Sequence, residues 1–194
     1  MARTDVEEQK AQIAEALWRL AARAGLEAVS VREVAAEAGV SVGRVQHYFR
    51  SKDAMLLYGL TLAGQRMETR IADRLIGLAG SPEQLLRAAL DEVLGDDQDT
   101  RQAIRVNVAF LGRAMEDTQI ADVLFQDNAE LRALAAYVVR IAQSQGRAAG
   151  LDPEREARII WSLADALTIE LACGQLNAAE ASDTMRYHLD RVLR

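Results

Sequence analysis

The sequence predicts an all-α fold of about nine helices, and two observations support this class. No run of alternating β-branched residues is long enough to indicate a strand. Both prolines directly follow a residue that commonly caps the start of a helix, in Ser81-Pro82 and Asp152-Pro153. Each proline therefore stands where a helix begins, and neither interrupts one.

Further helix boundaries follow from two other cap patterns and from apolar residues that repeat with a helical period. Ser30 and Asn177 are each followed three residues later by a glutamate, Glu33 and Glu180, which is typical of a capping box. The predicted helices lie near residues 6–24, 31–38, 42–48, 51–78, 82–94, 100–115, 118–145, 153–175 and 178–193.

The composition is that of a globular protein. Apolar residues make up 50% and charged residues 27% of the 194 residues. Cys173 is the only cysteine, and we expect it to be a buried structural thiol. The start MARTDVEEQK lacks the apolar core of a signal peptide, and the most apolar run, residues 159–172, is too short to span a bilayer. These features predict a cytoplasmic protein with no membrane partner.

Positive charge is concentrated near the N-terminus. The formal net charge is -6, yet residues 1–52 hold eight Lys or Arg against seven Asp or Glu, while residues 53–194 hold fifteen against twenty-two. Between Gly39 and Lys52 there is no acidic residue, whereas Arg44, Arg50 and Lys52 are basic. Because association responds to the local field, this segment is suited to a negatively charged partner.

Two short predicted helices, separated by Gly39-Val40-Ser41, have the spacing of a helix-turn-helix. Ala35 supplies the small residue where the helices cross, and Gly39 supplies a turn residue that tolerates positive φ. Val40 and Val45 supply apolar groups that hold the second helix in place. A helical hairpin of no special function is the alternative interpretation of this pattern.

The second helix of this pair carries an unusual glycine. Gly43 costs about 1 kcal/mol relative to alanine inside a helix, so another advantage should favour it. A missing side chain allows the backbone to approach a surface closely. Its neighbours can make the apolar contacts and hydrogen bonds that read base edges in a major groove: Val42, Arg44, Gln46 and His47.

The run SVREVAAEAGVSVGRVQHYFRSKDAML, from Ser30 to Leu56, resembles the DNA-binding motif of TetR-family transcriptional regulators. The resemblance implies a DNA-binding domain over residues 1–50 and an effector-binding and dimerisation domain over residues 51–194. It also implies that Ser30 and Val31 lie near the DNA backbone, that Val42, Gly43, Arg44, Gln46 and His47 face the major groove, and that Tyr48 and Lys52 contact phosphates. Gln46 departs from the pattern, since many members have tyrosine at that position.

The C-terminal region predicts a homodimer. The helix near 153–175 is apolar almost all round, so both of its sides must pack against other protein surfaces. One side can pack within its own domain, and the other against a second copy of the chain. Met185, Leu189 and Val192 form a second stripe on the last helix, and the two helices could build a four-helix bundle with a second copy. A core helix within a monomer is the alternative. The resemblance implies the dimer.

A small-molecule effector bound among the middle helices is a further implication of the resemblance. Its identity is open. The candidate lining residues, whose apolar members are equally explained as core, are Met67, Ile71, Val106, Asn107, Phe110, Met115, Phe125 and Trp161.

The leading hypothesis is therefore a ligand-responsive repressor that binds a palindromic double-stranded operator. An enzyme or carrier built on a helical dimer is the rival, but neither His47 nor His188 lies near a pattern of acid and nucleophile. Cys173 has no evident base, and we expect no cofactor and no metal site. An activator, or an interaction module that does not bind DNA, stays open on the same fold.

Overall fold

The all-α class is confirmed by the computed structural model, which describes residues 3–76, 80–126 and 128–194. No strand is present in these ranges. The helices are α1 (Arg3–Ala24), α2 (Val31–Ala38), α3 (Val42–Tyr48), α4 (Lys52–Leu75), α5 (Pro82–Val93), α6 (Gln98–Ala114), α7 (Thr118–Gln126), α8 (Asn128–Ser144), α9 (Pro153–Ala172) and α10 (Ala178–Val192). The single helix predicted near 118–145 corresponds to α7 and α8, on either side of residue 127, which lies outside the described ranges.

The four helix starts predicted from cap residues are confirmed, at Ser30, Ser81, Asp152 and Asn177. The Ser81 hydroxyl accepts a hydrogen bond from the Gln84 backbone N–H, and the Gln84 side chain accepts one from the Ser81 N–H at 2.8 Å. Asn177 and Glu180 make the same reciprocal pair, at 3.0 and 2.9 Å. The Asp152 carboxylate caps α9 ahead of its proline. These bonds satisfy backbone N–H groups that have no partner within the helix.

The chain divides into two compact units. The first contains the described residues up to Arg66 together with residues 105–124, and the second contains residues 67–104 and 125–194. Helix α4 therefore belongs to the first unit up to Arg66, and α6 belongs to it from Arg105 onward. The packing unit that holds the helix-turn-helix is thus larger than residues 1–50, while the functional division at residue 50 stays a prediction.

A buried tryptophan that sequence patterns did not single out ties α1 to α4 in the first unit. Trp18 is buried, and its indole N–H donates a hydrogen bond to the Gly59 carbonyl at 3.1 Å. A Cβ atom on Gly59 would lie 3.3 Å from a methyl group of Leu17, so glycine allows this close approach. The Arg66 guanidinium stacks 5.1 Å from the Trp18 ring centroid and pairs with Glu15 at 2.7 Å. These contacts join the middle of α4 to α1.

The second unit has its own apolar core, to which α5, α8, α9 and α10 contribute. One face of α9 is buried, with Ile160, Trp161 and Leu167 among its members. On the other side, Ile159 is 47% exposed and Ile169 is 39% exposed. Within the described part of the chain, no helix buries this second face of α9. No helix in the same ranges is long and apolar enough to cross a membrane.

The buried thiol predicted at Cys173 is wrong, because this residue is exposed. It follows the last residue of α9, and its backbone N–H donates to the Ile169 carbonyl at 3.0 Å. Gly174 then takes a positive φ of 69° and turns the chain. The side chain therefore lies at the end of the helix rather than within the buried stripe.

One carboxylate is buried in the second unit, where charged partners compensate for its loss of water. Glu92 of α5 accepts hydrogen bonds from the guanidinium groups of Arg70 and Arg74, each at 3.0 Å. The hydroxyl of Thr100 approaches the same carboxylate at 3.4 Å. This cluster fixes the last turns of α4 to α5 and to the first turn of α6.

Candidate nucleic-acid interface

The turn of the helix-turn-helix is built on Gly39, as the sequence predicts. Gly39 has φ 68° and ψ 28°, the left-handed conformation that glycine adopts without strain. Its N–H donates to the Ala36 carbonyl, and the Val40 N–H donates to the Ala35 carbonyl at 3.0 Å. A Cβ atom at Gly39 would meet nothing within 4 Å, so backbone conformation, not space, requires the glycine.

The second helix, α3, buries one side and leaves the other open. The Ser41 hydroxyl caps it by accepting from the Arg44 N–H at 3.1 Å. Val45 is buried, as predicted, and Phe49 is buried beside it, so both hold the helix on the core. The exposed residues are Val42, Gly43, Arg44, Gln46 and His47, which are the five predicted to face the major groove. A Cβ atom at Gly43 would also meet nothing within 4 Å, so no internal contact requires this glycine.

The first helix of the pair, α2, is held on α1 by polar contacts. The Glu37 carboxylate accepts from the guanidinium groups of Arg19 at 2.8 Å and Arg23 at 3.0 Å. These two hydrogen bonds lower the pKa of Glu37. The Gln12 side chain donates to the Ala38 carbonyl at 3.1 Å, near the end of α2. Helices α1 and α2 are therefore fixed to each other, and together they support α3.

The start of α4 continues this surface. Lys52 is its first residue, and the Ser51 hydroxyl caps the helix by accepting from the Ala54 N–H at 3.0 Å. A cation at a helix N-terminus combines two features that attract phosphate. The partly buried Tyr48 packs against the core of the first unit, and its ring meets His47 edge to face at 5.2 Å.

Basic residues on this surface differ from those elsewhere in the first unit. Arg32, Arg44, Arg50 and Lys52 make no ion pair with any described residue. Apart from Arg105, the other basic residues of the unit whose side chains the structure describes are paired with carboxylates: Lys10, Arg19, Arg23, Arg66 and Arg113. The cations between residues 30 and 52 are therefore available to an external anion.

Two of these four cations were not among the predicted site residues. Arg32 is exposed on α2, two residues after its cap Ser30, and Arg50 is exposed in the link between α3 and α4. Both lie within the predicted motif, Ser30 to Leu56, so their positive charge and their place in that motif are the signal that could have found them. In the sequence, Arg50 belongs to the basic segment between Gly39 and Lys52 but not to the predicted DNA contacts.

The predicted effector residues are divided between the two units and differ in exposure. Val106 and Phe110 come together in the core of the first unit, where Asn107 is exposed and Met115 is 89% exposed. In the second unit Ile71 and Trp161 are buried, Met67 is partly buried and Phe125 is exposed. The Trp161 indole N–H is buried and has no hydrogen-bond partner among the described residues. The shared lining of one pocket by these residues stays a prediction.

The two histidines lie in different units. His47 is exposed on α3, whereas His188 is half-buried on α10, and burial lowers the pKa of His188. Among the described residues, no group of three His, Cys, Asp or Glu side chains is arranged to hold a metal ion.

Family models match most of the chain. Residues 13–58 match the model of bacterial regulatory proteins of the tetR family. Residues 82–194 match the model of the BetI-type transcriptional repressor C-terminal domain. The two matches correspond to the helix-turn-helix with its flanking helices and to α5–α10.

Individual proteins give the same result. The HTH-type transcriptional regulator PksA of Bacillus subtilis is 28% identical over 191 residues, which are 98% of this chain and 87% of that protein. The crystal structure of a transcriptional regulator from Rhodococcus sp. Rha1 has a TM-score of 0.80 and 26% identity, and the match covers 95% of each chain. A regulator from Saccharomonospora viridis, solved in complex with choline, has a TM-score of 0.84 at 22% identity and covers 95% of this chain and 96% of its own.

Proposed function

The chain belongs to the TetR family of DNA-binding transcriptional regulators, and from this we propose that it represses transcription as a homodimer on a palindromic operator. A small-molecule effector then releases it from the DNA. The match to a BetI-type repressor domain favours repression over activation. Because the matched family consists of bacterial regulatory proteins and the proposed partner is DNA, we propose that the protein acts in the cytoplasm.

The observation that carries this proposal is the exposed surface of α2, α3 and the start of α4. It holds four cations without an ion pair among the described residues, and it has no acidic residue between Gly39 and Lys52. Phosphates draw such cations, while the short exposed α3 has the dimensions to enter a major groove. In this arrangement Lys52 and Tyr48 contact phosphates, and Ser30 and Val31 lie beside the backbone.

Arg44 is proposed to read a base, and Arg50 to contact phosphate. We expect Arg44→Ala to lose discrimination at particular base pairs, by about 1–3 kcal/mol if the contact is bidentate. Arg50→Ala is the matched control and should weaken all duplexes alike. The measurement is fluorescence anisotropy with a duplex that the protein selects from a random pool and with single-base variants of it. Uniform loss in Arg44→Ala would remove this residue from base reading.

Repression is tested separately from binding. The selected duplex is placed in a promoter that purified bacterial RNA polymerase transcribes, and the protein is added in increasing amounts. We expect transcript levels to fall as the duplex becomes occupied. Increased transcription would make the chain an activator on the same fold.

The homodimer is proposed to form through the uncovered face of α9 and the exposed side of α10. Ile159 and Ile169 expose apolar surface on α9, and Tyr187 does so on α10. We expect Ile169→Asp to shift the protein toward monomer in sedimentation equilibrium. Ile76→Asp is the control, because Ile76 is exposed but lies just beyond α4. Equal dissociation by both variants, or by neither, would contradict this interface.

The effector is proposed to bind near the buried Trp161, whose indole N–H has no partner among the described residues and can donate to an acceptor on the ligand. Choline is the first compound to test, because a protein of the same fold was solved with it. A panel of small cationic and apolar compounds follows. We expect at least one to release the protein from its duplex, and Trp161→Phe to weaken that release. Tyr137→Phe, which removes a polar group from an exposed ring on α8, is the control and should respond normally.

A further inference from the structure

An acidic residue directly follows the basic segment. Asp53 is the second residue of α4, next to Lys52, and its side chain is 65% exposed. An unbound carboxylate at this position would repel approaching phosphates. It would also be close enough in sequence to pair with Arg50, three residues earlier. The position is therefore unfavourable for a DNA-binding surface unless the carboxylate is held elsewhere.

Arg113 holds it. The Arg113 Nη2 atom lies 2.7 Å from the Asp53 Oδ1 atom, although the two residues are 60 positions apart. Arg113 belongs to the last turn of α6, and only 31% of its side chain is exposed. Its Nε atom is buried and has no hydrogen-bond partner among the described residues. Burying an unsatisfied donor is costly, and the Arg113 guanidinium therefore pairs with Asp53 while one of its own donors stays unsatisfied.

Stability alone is a weak reason for this pair. Ion pairs on a protein surface typically contribute between zero and about 1 kcal/mol. The Arg66–Glu15 pair in the same unit has the same 2.7 Å distance and joins α4 to α1, but neither residue lies in or next to the basic segment. What distinguishes the Arg113–Asp53 pair is that its acid is adjacent to Lys52.

We propose that Arg113 is a positioning residue for DNA binding, which keeps the Asp53 carboxylate bound and so leaves Lys52 and Arg50 to the phosphates. The inference rests on the proposed phosphate contact of Lys52. It goes beyond that contact because it assigns a role to α6, which lies outside the helix-turn-helix.

The test is a double-mutant cycle on binding to a fluorescein-labelled duplex of mixed sequence at low salt. Arg113→Gln retains much of the packing and removes the charge. We expect it to weaken binding by about 3- to 10-fold, the effect of one unit charge at a few ångströms from phosphate in a solvated interface. Asp53→Asn should not weaken binding. The double variant should bind within about twofold of Asp53→Asn, because the acid that Arg113 restrains is already gone from both.

The double variant separates this role from a structural one. If Arg113 only stabilised the fold or touched DNA itself, its loss would persist after Asp53→Asn, and that result would overturn the proposal. Arg66→Gln is the matched control and should leave affinity within about twofold. Circular dichroism melts check that each variant folds. If Arg113→Gln does not fold, Asp53→Asn still decides, since weaker binding by this variant contradicts the proposal.

Lys52→Ala on the same duplex distinguishes failure of the proposed phosphate contact from failure of the proposed role of Arg113. If Lys52→Ala weakens binding and Arg113→Gln does not, the role of Arg113 fails while the DNA surface stands. If Lys52→Ala has no effect, the phosphate contact fails and the role of Arg113 fails with it.

Discussion

Replacing Lys52 by alanine should flatten the salt dependence of DNA binding by an amount that can be worked out in advance. Lys52 is the first residue of α4, at a capped helix N-terminus, and makes no ion pair among the described residues. Each phosphate contact on duplex DNA contributes about 0.9 to the slope of log affinity against log salt. With one contact from each copy of a dimer, the slope should fall by about 1.8.

The size of this effect is easily measured. Between 50 and 200 mM salt, a slope change of this size reduces the salt-induced loss of affinity by about tenfold. Fluorescence anisotropy across this range, on the selected duplex and on a mixed-sequence duplex, should give the same flattening for both. The chain has one other lysine, Lys10, which pairs with Glu7 at 3.1 Å and lies over the Tyr58 ring. Lys10→Ala removes the same charge, and equal flattening by both variants would refute the assignment of Lys52.

Three further predictions concern the support of the surface. Gly43→Ala should stabilise the protein by about 0.5–1 kcal/mol in urea unfolding and yet weaken DNA binding; unchanged binding would contradict a close approach at α3. Gly39→Ala should destabilise it by about 1 kcal/mol in the same assay, because alanine resists the φ of 68°. Arg19 and Arg23 lower the pKa of Glu37 in the folded protein. The ionised carboxylate therefore stabilises the fold at a pH above the usual pKa of glutamate, and this stabilisation is lost as the pH falls through the lower folded-state pKa. Glu37→Gln should therefore melt at a lower temperature than the unchanged protein at neutral pH, with a difference that closes as the pH falls below the lowered pKa of Glu37.

Local signals made the helix-turn-helix predictable. Ser30 and Ser41 cap their helices through bonds that span three residues, and Gly39 takes positive φ for reasons of backbone geometry. Burial of Val45 and Phe49 follows from the apolar stripe of a short helix. Each of these features depends on a few consecutive residues, so the sequence carries it directly.

Contacts between distant residues were not predictable in the same way. The bond from Trp18 to the Gly59 carbonyl joins residues 41 positions apart, and the Arg113–Asp53 pair joins residues 60 apart. The exposure of Cys173 depends on where α9 ends relative to its core, which periodicity does not fix. The effector residues could not be identified from the sequence for a related reason. Apolar side chains that line a pocket and those that fill a core repeat with the same helical period.

The most direct test of operator binding by a dimer is selection of bound duplexes from a random pool by the purified protein. We expect a palindromic consensus whose half-sites are about one helical turn apart, each read by one copy of α3. Absence of enrichment, or a consensus without two-fold symmetry, would contradict it.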